Sequence, residues 1–280
     1  MSGEKRWFIT GVSSGFGRLL AEAAFARGDS VVGTLRSPGQ TDEFTSLAPG
    51  RAHAVILDVT DRKRIPGAVA EGVAKLGGLD VLVNNAGYGL AGALEELDDD
   101  EIDHAIETNL GGAIYVTRAA LPALRESRGH IINLSSMAGL VGLPGMAPYC
   151  AAKHGLEGLT EALGAELQPF GVKVTLVEPG GFRTKFFKGS ERIARNPLPI
   201  YDSTPAGMTR SALAGIGDKM PGDPAKAVRA ILQAIDAEKP PLRLVLGADA
   251  LGGFRNKLKS VEANLAEWED VSLSTGVADN

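Results

Sequence analysis

The chain contains a single cysteine, Cys150, among its 280 residues. No internal disulfide can form, and no zinc site built on cysteine thiolates is possible. Histidine is almost as scarce: His53, His104, His130 and His154 share no metal-ligand spacing, so no metal site is expected. Long apolar runs are missing as well. Nothing approaches the roughly 18 consecutive apolar residues of a membrane span, and Trp7-Phe8-Ile9 is too short for a signal-peptide core. There is no basic tract either, and with a net charge of -5 and a pI near 5.5 a nucleic-acid partner has no electrostatic support. These absences leave a cytoplasmic protein, with neither membrane nor nucleic acid as a partner, as the expectation.

Glycine is what the chain has in excess, with 36 residues where an average protein has about 7%. The glycines fall at the ends of apolar runs, which marks turns where backbone approaches backbone or ligand. The length suits one large α/β domain over residues 1–280 better than two small ones.

Short β-branched runs alternate with longer amphipathic stretches. Strands are expected at Arg6–Thr10, Ser30–Leu35, His53–Leu57, Asp80–Asn84, His130–Ser135, Lys173–Glu178 and Leu242–Leu246. Helices are expected near 16–27, 40–47, 61–76, 99–125, 148–168, 223–237 and 249–269. Continuous apolar strands such as Val81-Leu82-Val83 imply burial on both faces. The alternation predicts an α/β fold: a doubly wound parallel sheet of about seven strands, Rossmann-like, with helices on both faces. Ligands in such sheets bind beyond the carboxyl ends of the strands. From Lys185 to Pro221 the rhythm breaks, and this segment (185–221) is expected to cover the substrate as a lid. The stretch 249–271 reads as a C-terminal helical extension, and Asp98-Asp99-Asp100-Glu101 as the acidic first turn of a helix.

Directly after the first strand stands Thr10-Gly11-Val12-Ser13-Ser14-Gly15-Phe16-Gly17, opening a helix. Glycines allow a tight turn and close approach of a phosphate, and the helix N-terminus offers N–H groups and positive partial charge. Tyr149 and Lys153, four apart on a helix, share one face. There an ammonium can favour a phenolate and lower a phenol pKa that is otherwise about 10. The strand before them ends in Ser135-Ser136, thirteen positions ahead of Tyr149. Alternation turns Ser135 away from the side that Ser136 faces.

The T-G-x-x-x-G-x-G turn, Asn84-Asn85-Ala86-Gly87, Ser136, the Tyr149/Lys153 pair and Pro179-Gly180 together resemble the short-chain dehydrogenase/reductase family, in its compact, non-extended branch. The resemblance covers about residues 6 to 184. It implies a nicotinamide cofactor bound by Gly11, Ser13, Ser14, Gly15, Phe16 and Gly17, by Asp58 and Val59 at the adenine, and by Asn85, Ala86 and Gly87. Pro179, Gly180, Phe182 and Thr184 would meet the nicotinamide; Phe182 stands where the family more often has Val or Ile. It further implies Tyr149 as general acid and base, Ser136 as the donor to the substrate oxygen, and Lys153 as holder of the ribose and depressor of the Tyr149 pKa. Asn109 would anchor a water that links the lysine to solvent.

The cofactor expected is NADP(H). The second strand ends Thr34-Leu35-Arg36, with Leu35 where NAD-selective relatives place an acid, and Arg36 can hold a 2′-phosphate. Ser14 and Ser37 add weaker donors. The partner expected is a small-molecule carbonyl or alcohol. Met137, Leu140, Val141, Leu143, Met146, Phe182, Phe186 and Phe187 hint at a bulky apolar one. The family resemblance also implies a homodimer or homotetramer through helices 99–125 and 148–168. Two rivals stand beside this reading. A non-catalytic NADPH-binding sensor or scaffold would be expected to lose part of the Ser136/Tyr149/Lys153/Asn109 set, and a sugar-nucleotide epimerase or dehydratase would carry T-G-x-x-G-x-x-G.

Overall fold

A computed structural model describes residues 3–187, 192–213 and 219–277, with the side chain of Phe187 outside that description. Seven strands form one parallel sheet: β1 (Arg6–Ile9), β2 (Ser30–Leu35), β3 (Ala52–Ile56), β4 (Val81–Asn84), β6 (His130–Leu134), β7 (Lys173–Pro179) and β9 (Arg243–Leu246). Their order is β3-β2-β1-β4-β6-β7-β9. Two further strands, β5 (Leu90–Ala91) and β8 (Arg192–Ile193), pair parallel with each other outside it.

The helices are α1 (Gly15–Ala26), α2 (Thr41–Thr45), α3 (Ile65–Leu76), α4 (Asp99–Ile106), α5 (Gly112–Ser127), α6 (Ala147–Leu167), α7 (Pro205–Leu213), α8 (Pro224–Asp236), α9 (Ala248–Glu267) and α10 (Glu269–Leu273). The strands are apolar at consecutive positions because each face meets its own helix layer. Trp7, Ile9, Val31, Val83 and Ile132 join α1 and α8 in one buried cluster. Phe8, Val32, Leu82 and Ile131 join α3, α5 and the end of α6 in the other. The alternation of two within an all-apolar strand therefore serves two cores, as a doubly wound sheet requires.

The strand order reverses between β1 and β4, so a crevice opens beyond their carboxyl ends. Two expectations need correction. The helix expected over 99–125 is interrupted: Glu107–Gly111 form a π turn between α4 and α5, where backbone partners shift by one residue. The segment 185–221, which shows no period in sequence, contains β8 and α7. It is tied to the body by Arg210 to the buried Glu96 and by Arg195 to Asp100 at 2.5 Å and Glu101 at 3.4 Å. Residues 188–191 and 214–218 of the expected lid lie outside the described residues. The acidic run at α4 caps its helix as expected, with Glu101 Oε2 accepting from the Asp98 N–H at 3.1 Å.

Candidate active site

A cleft of about 920 Å³ lies beyond the carboxyl ends of the strands. One end is the turn between β1 and α1. Gly11 and Gly15 have φ of +72° and +61°, left-handed backbone that favours glycine. The α1 N-cap, Ser14, makes no side-chain cap, so the first N–H groups of that helix are not taken by it. The turn is held from outside: Asn85 Nδ2 donates to the carbonyls of Thr10 and Gly11, both at 2.9 Å. Thr10 Oγ1 accepts from the N–H groups of Asn85 and Ala86, both at 3.0 Å. Asn84 faces the other way, donating to Thr117 Oγ1 at 2.8 Å and Asn133 Oδ1 at 2.7 Å. Asn85 thus braces the backbone of the turn, and Asn84 ties β4 to side chains of α5 and β6.

Gly11, Ser13, Ser14, Gly15 and Phe16 line the cleft, and so do Leu35, Arg36, Ser37, Asp58 and Val59 around its far end. Gly17 does not. A side chain there would meet the Gly11 carbonyl and Asn85 Nδ2, so this glycine lets α1 pack under the turn. Burial raises Asp58, but the N–H and hydroxyl of Thr60, with Arg36 nearby, outweigh it and hold the carboxyl below its ordinary value. Asn85, Ala86, Gly87, Pro179, Gly180, Phe182 and Thr184 line the middle. Such a cleft, with uncapped helix N–H groups and a guanidinium at one end, fits a phosphorylated dinucleotide.

Ser136, Tyr149 and Lys153 converge at the floor, all three lining the cleft. Ser136 stands two residues beyond the end of β6, where its Oγ accepts from the Ala138 N–H at 3.1 Å. Tyr149 and Lys153 stand one turn apart on α6, both buried, with Lys153 Nζ 5.8 Å from the phenol ring centre. Lys153 Nζ donates to the Leu134 carbonyl at 2.7 Å. Burial pushes the Tyr149 phenol up to about 12, against a hydrogen bond with Ser136. Burial pulls Lys153 down to about 8, against the pull of Glu157. In the protein alone, desolvation decides the direction of the phenol's shift.

Asn109 is buried at the π turn and does not line the cleft. Its Nδ2 donates to the carbonyls of Tyr88 and Ala105, both at 3.0 Å, and its Oδ1 accepts from the Tyr88 N–H at 3.2 Å. The side-chain amide of Asn109 is thus committed to the loop after β4 and to the carbonyl one turn back in its own helix. Ser135 turns away from Ser136 as alternation requires, and its hydroxyl donates to Glu157. Of the apolar residues expected around the substrate, Met137, Leu143, Met146, Phe182 and Phe186 line the cleft, whereas Leu140 and Val141 do not.

Sequence reasoning missed a buried charge cluster below this floor. Arg243 of β9 donates to Glu157 on α6, to Glu178 in β7 and to Glu161. Two signals pointed there: Glu178 is a charge inside an apolar strand, and Glu157 follows Lys153 by one helical turn. It also missed the residues that segment 185–221 brings to the cleft, namely Arg192, Thr209, Leu213 and Met220. Tyr88, with Arg192 stacked 4.5 Å above its ring and its hydroxyl 2.8 Å from His104 Nδ1, went unnoticed as well.

Fold and site together define a nucleotide-dependent oxidoreductase scaffold, and the chain belongs to the short-chain dehydrogenase family, whose model matches residues 5–193. Oxidoreductase BOA17 of Botryotinia fuckeliana is 37% identical over 273 residues, covering 97% of this chain and 99% of that protein. The crystal structure of a short-chain dehydrogenase from Streptomyces avermitilis is 45% identical with a TM-score of 0.91, covering 99% of this chain and all of that one (100%). A short-chain dehydrogenase from Burkholderia cenocepacia, solved with NADP, is 27% identical with a TM-score of 0.73, covering 94% of this chain and 97% of that one.

Proposed function

We propose that the protein is an NADP(H)-dependent oxidoreductase that interconverts a ketone or aldehyde with its alcohol. The carrying observation is the convergence of Ser136, Tyr149 and Lys153 on a cleft whose far end holds the glycine turn and Arg36. When bound, the nicotinamide supplies or accepts the hydride. In reduction, Tyr149 Oη gives its proton to the oxygen of the former carbonyl, and Ser136 Oγ donates a hydrogen bond to the same oxygen. Oxidation runs the same steps backward. Lys153 would hold the cofactor ribose, and its charge, with that of oxidised nicotinamide, would draw the phenol down from its buried value. Asn109 is a positioning residue that fixes the loop at Tyr88.

Arg36 and the uncharged Leu35 favour a 2′-phosphate, and Ser14 and Ser37 stand near enough to the same end to add donors. On the substrate side, Met137, Leu143, Met146, Phe186 and Leu213 make an apolar wall suited to a bulky, largely apolar carbonyl compound. Segment 185–221 supplies part of that wall and covers the substrate. The test is Tyr149→Phe, assayed by NADPH absorbance over a panel of bulky ketones and aldehydes. Turnover is expected to fall at least about a hundredfold, with NADPH affinity, read by fluorescence titration, little changed. Turnover near the parent rate would overturn the assignment.

A further inference from the structure

Helix α9 is held to the body only near its start. Ala250 and Phe254 are its buried residues, and from Arg255 to Val277 every residue is exposed. The rest of α9 is therefore an arm, about 20 Å long at 1.5 Å per residue. A single helix of that length is marginal in water without packing.

The arm carries a seam. Leu251, Phe254, Leu258, Val261, Leu265 and Trp268 recur at alternating intervals of three and four, the repeat that two paired helices bury between them. Phe254 is spent on the body, but Leu258 is 59% exposed, Val261 41%, Leu265 61% and Trp268 58%. The charges along the arm are sorted by sign. Arg255, Lys257 and Lys259 stand in its first half, and Glu262, Glu267, Glu269 and Asp270 follow. Among the described residues, none of these seven makes an ion pair within the chain.

We propose that this arm is a self-association element, pairing antiparallel with the same arm of a second copy. Antiparallel pairing lays the basic half of each arm along the acidic half of the other, and two-fold symmetry repeats that match at both ends. A parallel pair would stack like charges on like. The acidic half argues against an anionic lipid surface as the occupant, since such a surface attracts basic segments and repels acidic ones. The surface is separate from the cleft, so the proposal does not depend on the reaction assigned above.

Analytical ultracentrifugation of the full chain tests it. Leu258→Asp with Leu265→Asp should halve the assembled mass at the parent's concentration. A second pair of variants leaves the seam intact. In one, Arg255, Lys257 and Lys259 become Glu; in the other, Glu262, Glu267 and Glu269 become Lys. Each alone should show the halved mass, and an equimolar mixture should restore the parent value. Thermal unfolding of the body should be little changed in all of them, because the altered residues are exposed. Unchanged mass in the leucine variant, or a mixture that fails to recover, overturns the proposal. So does parent protein that pellets with phosphatidylserine vesicles while its mass matches that of the leucine variant.

Discussion

At the glycine-turn end of the cleft, backbone is held by backbone-directed hydrogen bonds from Thr10 and Asn85. At the other end stand side chains on short elements, among them Phe186, Arg192 and Leu213, carried by a segment that ion pairs tie to the body. The first rim is fixed by bonds within the protein itself. The second can change its side chains without disturbing the sheet.

The contrast breaks most sharply at Arg36. A charged hydrogen bond lost there costs roughly 1.5–3 kcal/mol, or about ten- to a hundredfold in affinity. Arg36→Leu is expected to weaken NADPH by that factor and spare NADH, and Leu35→Asp to move preference further toward NADH. Catalytic efficiencies with the two cofactors give the readout. A parent enzyme that prefers NADH, or a ratio unmoved by Arg36→Leu, would show that this rim does not read the phosphate.

A smaller effect is expected from Arg210→Ala on the opposite rim. Glu96, whose side chain is fully buried, accepts from Arg210 as well as from the N–H groups of Ala93 at 2.7 Å and Leu198 at 2.8 Å. Without the guanidinium, limited proteolysis within 185–221 should run several-fold faster, with NADPH affinity unaltered. Equal cleavage rates would mean that the ion pair does not hold the rim; a matching loss of NADPH affinity would mean that the two rims are not separable.

The smallest effect concerns the floor that both rims share. Burial first, then the facing Glu157, pushes Glu178 up to about 8, against the pull of Arg243. Its folded value lies above the ordinary 4.5, so its stabilising contribution is complete below about 4.5 and is lost as pH rises through about 8. Tm should therefore decline between those limits, and Glu178→Gln should flatten the decline by a few degrees. Parallel Tm profiles in the two proteins would remove Glu178 as the cause.

The two rims also differ in how far they can be read from sequence. Glycine spacing marks a backbone turn directly, so the turn at Gly11 and Gly15 was legible, and so was each of the seven strands to within a residue or two. That Gly17 also lets α1 pack under the turn was not, because spacing alone does not reveal packing. On the other rim, β5 and β8 are two residues each, too short for any period to show. The π turn at Asn109 depends on Tyr88, a partner 21 positions away that local pattern does not reveal. Arg243 likewise gains its meaning only when β9 is laid beside β7.

Cys150 lies where the two rims meet. It is buried in a small cluster with Met146, Tyr149 and Leu213, against which Leu143 and Phe186 pack. As the chain's sole thiol, it is a built-in reporter: a thiol reagent should label it faster whenever this packing loosens. The rate of labelling, followed with and without ligands, would report that loosening in the natural protein, with no probe attached.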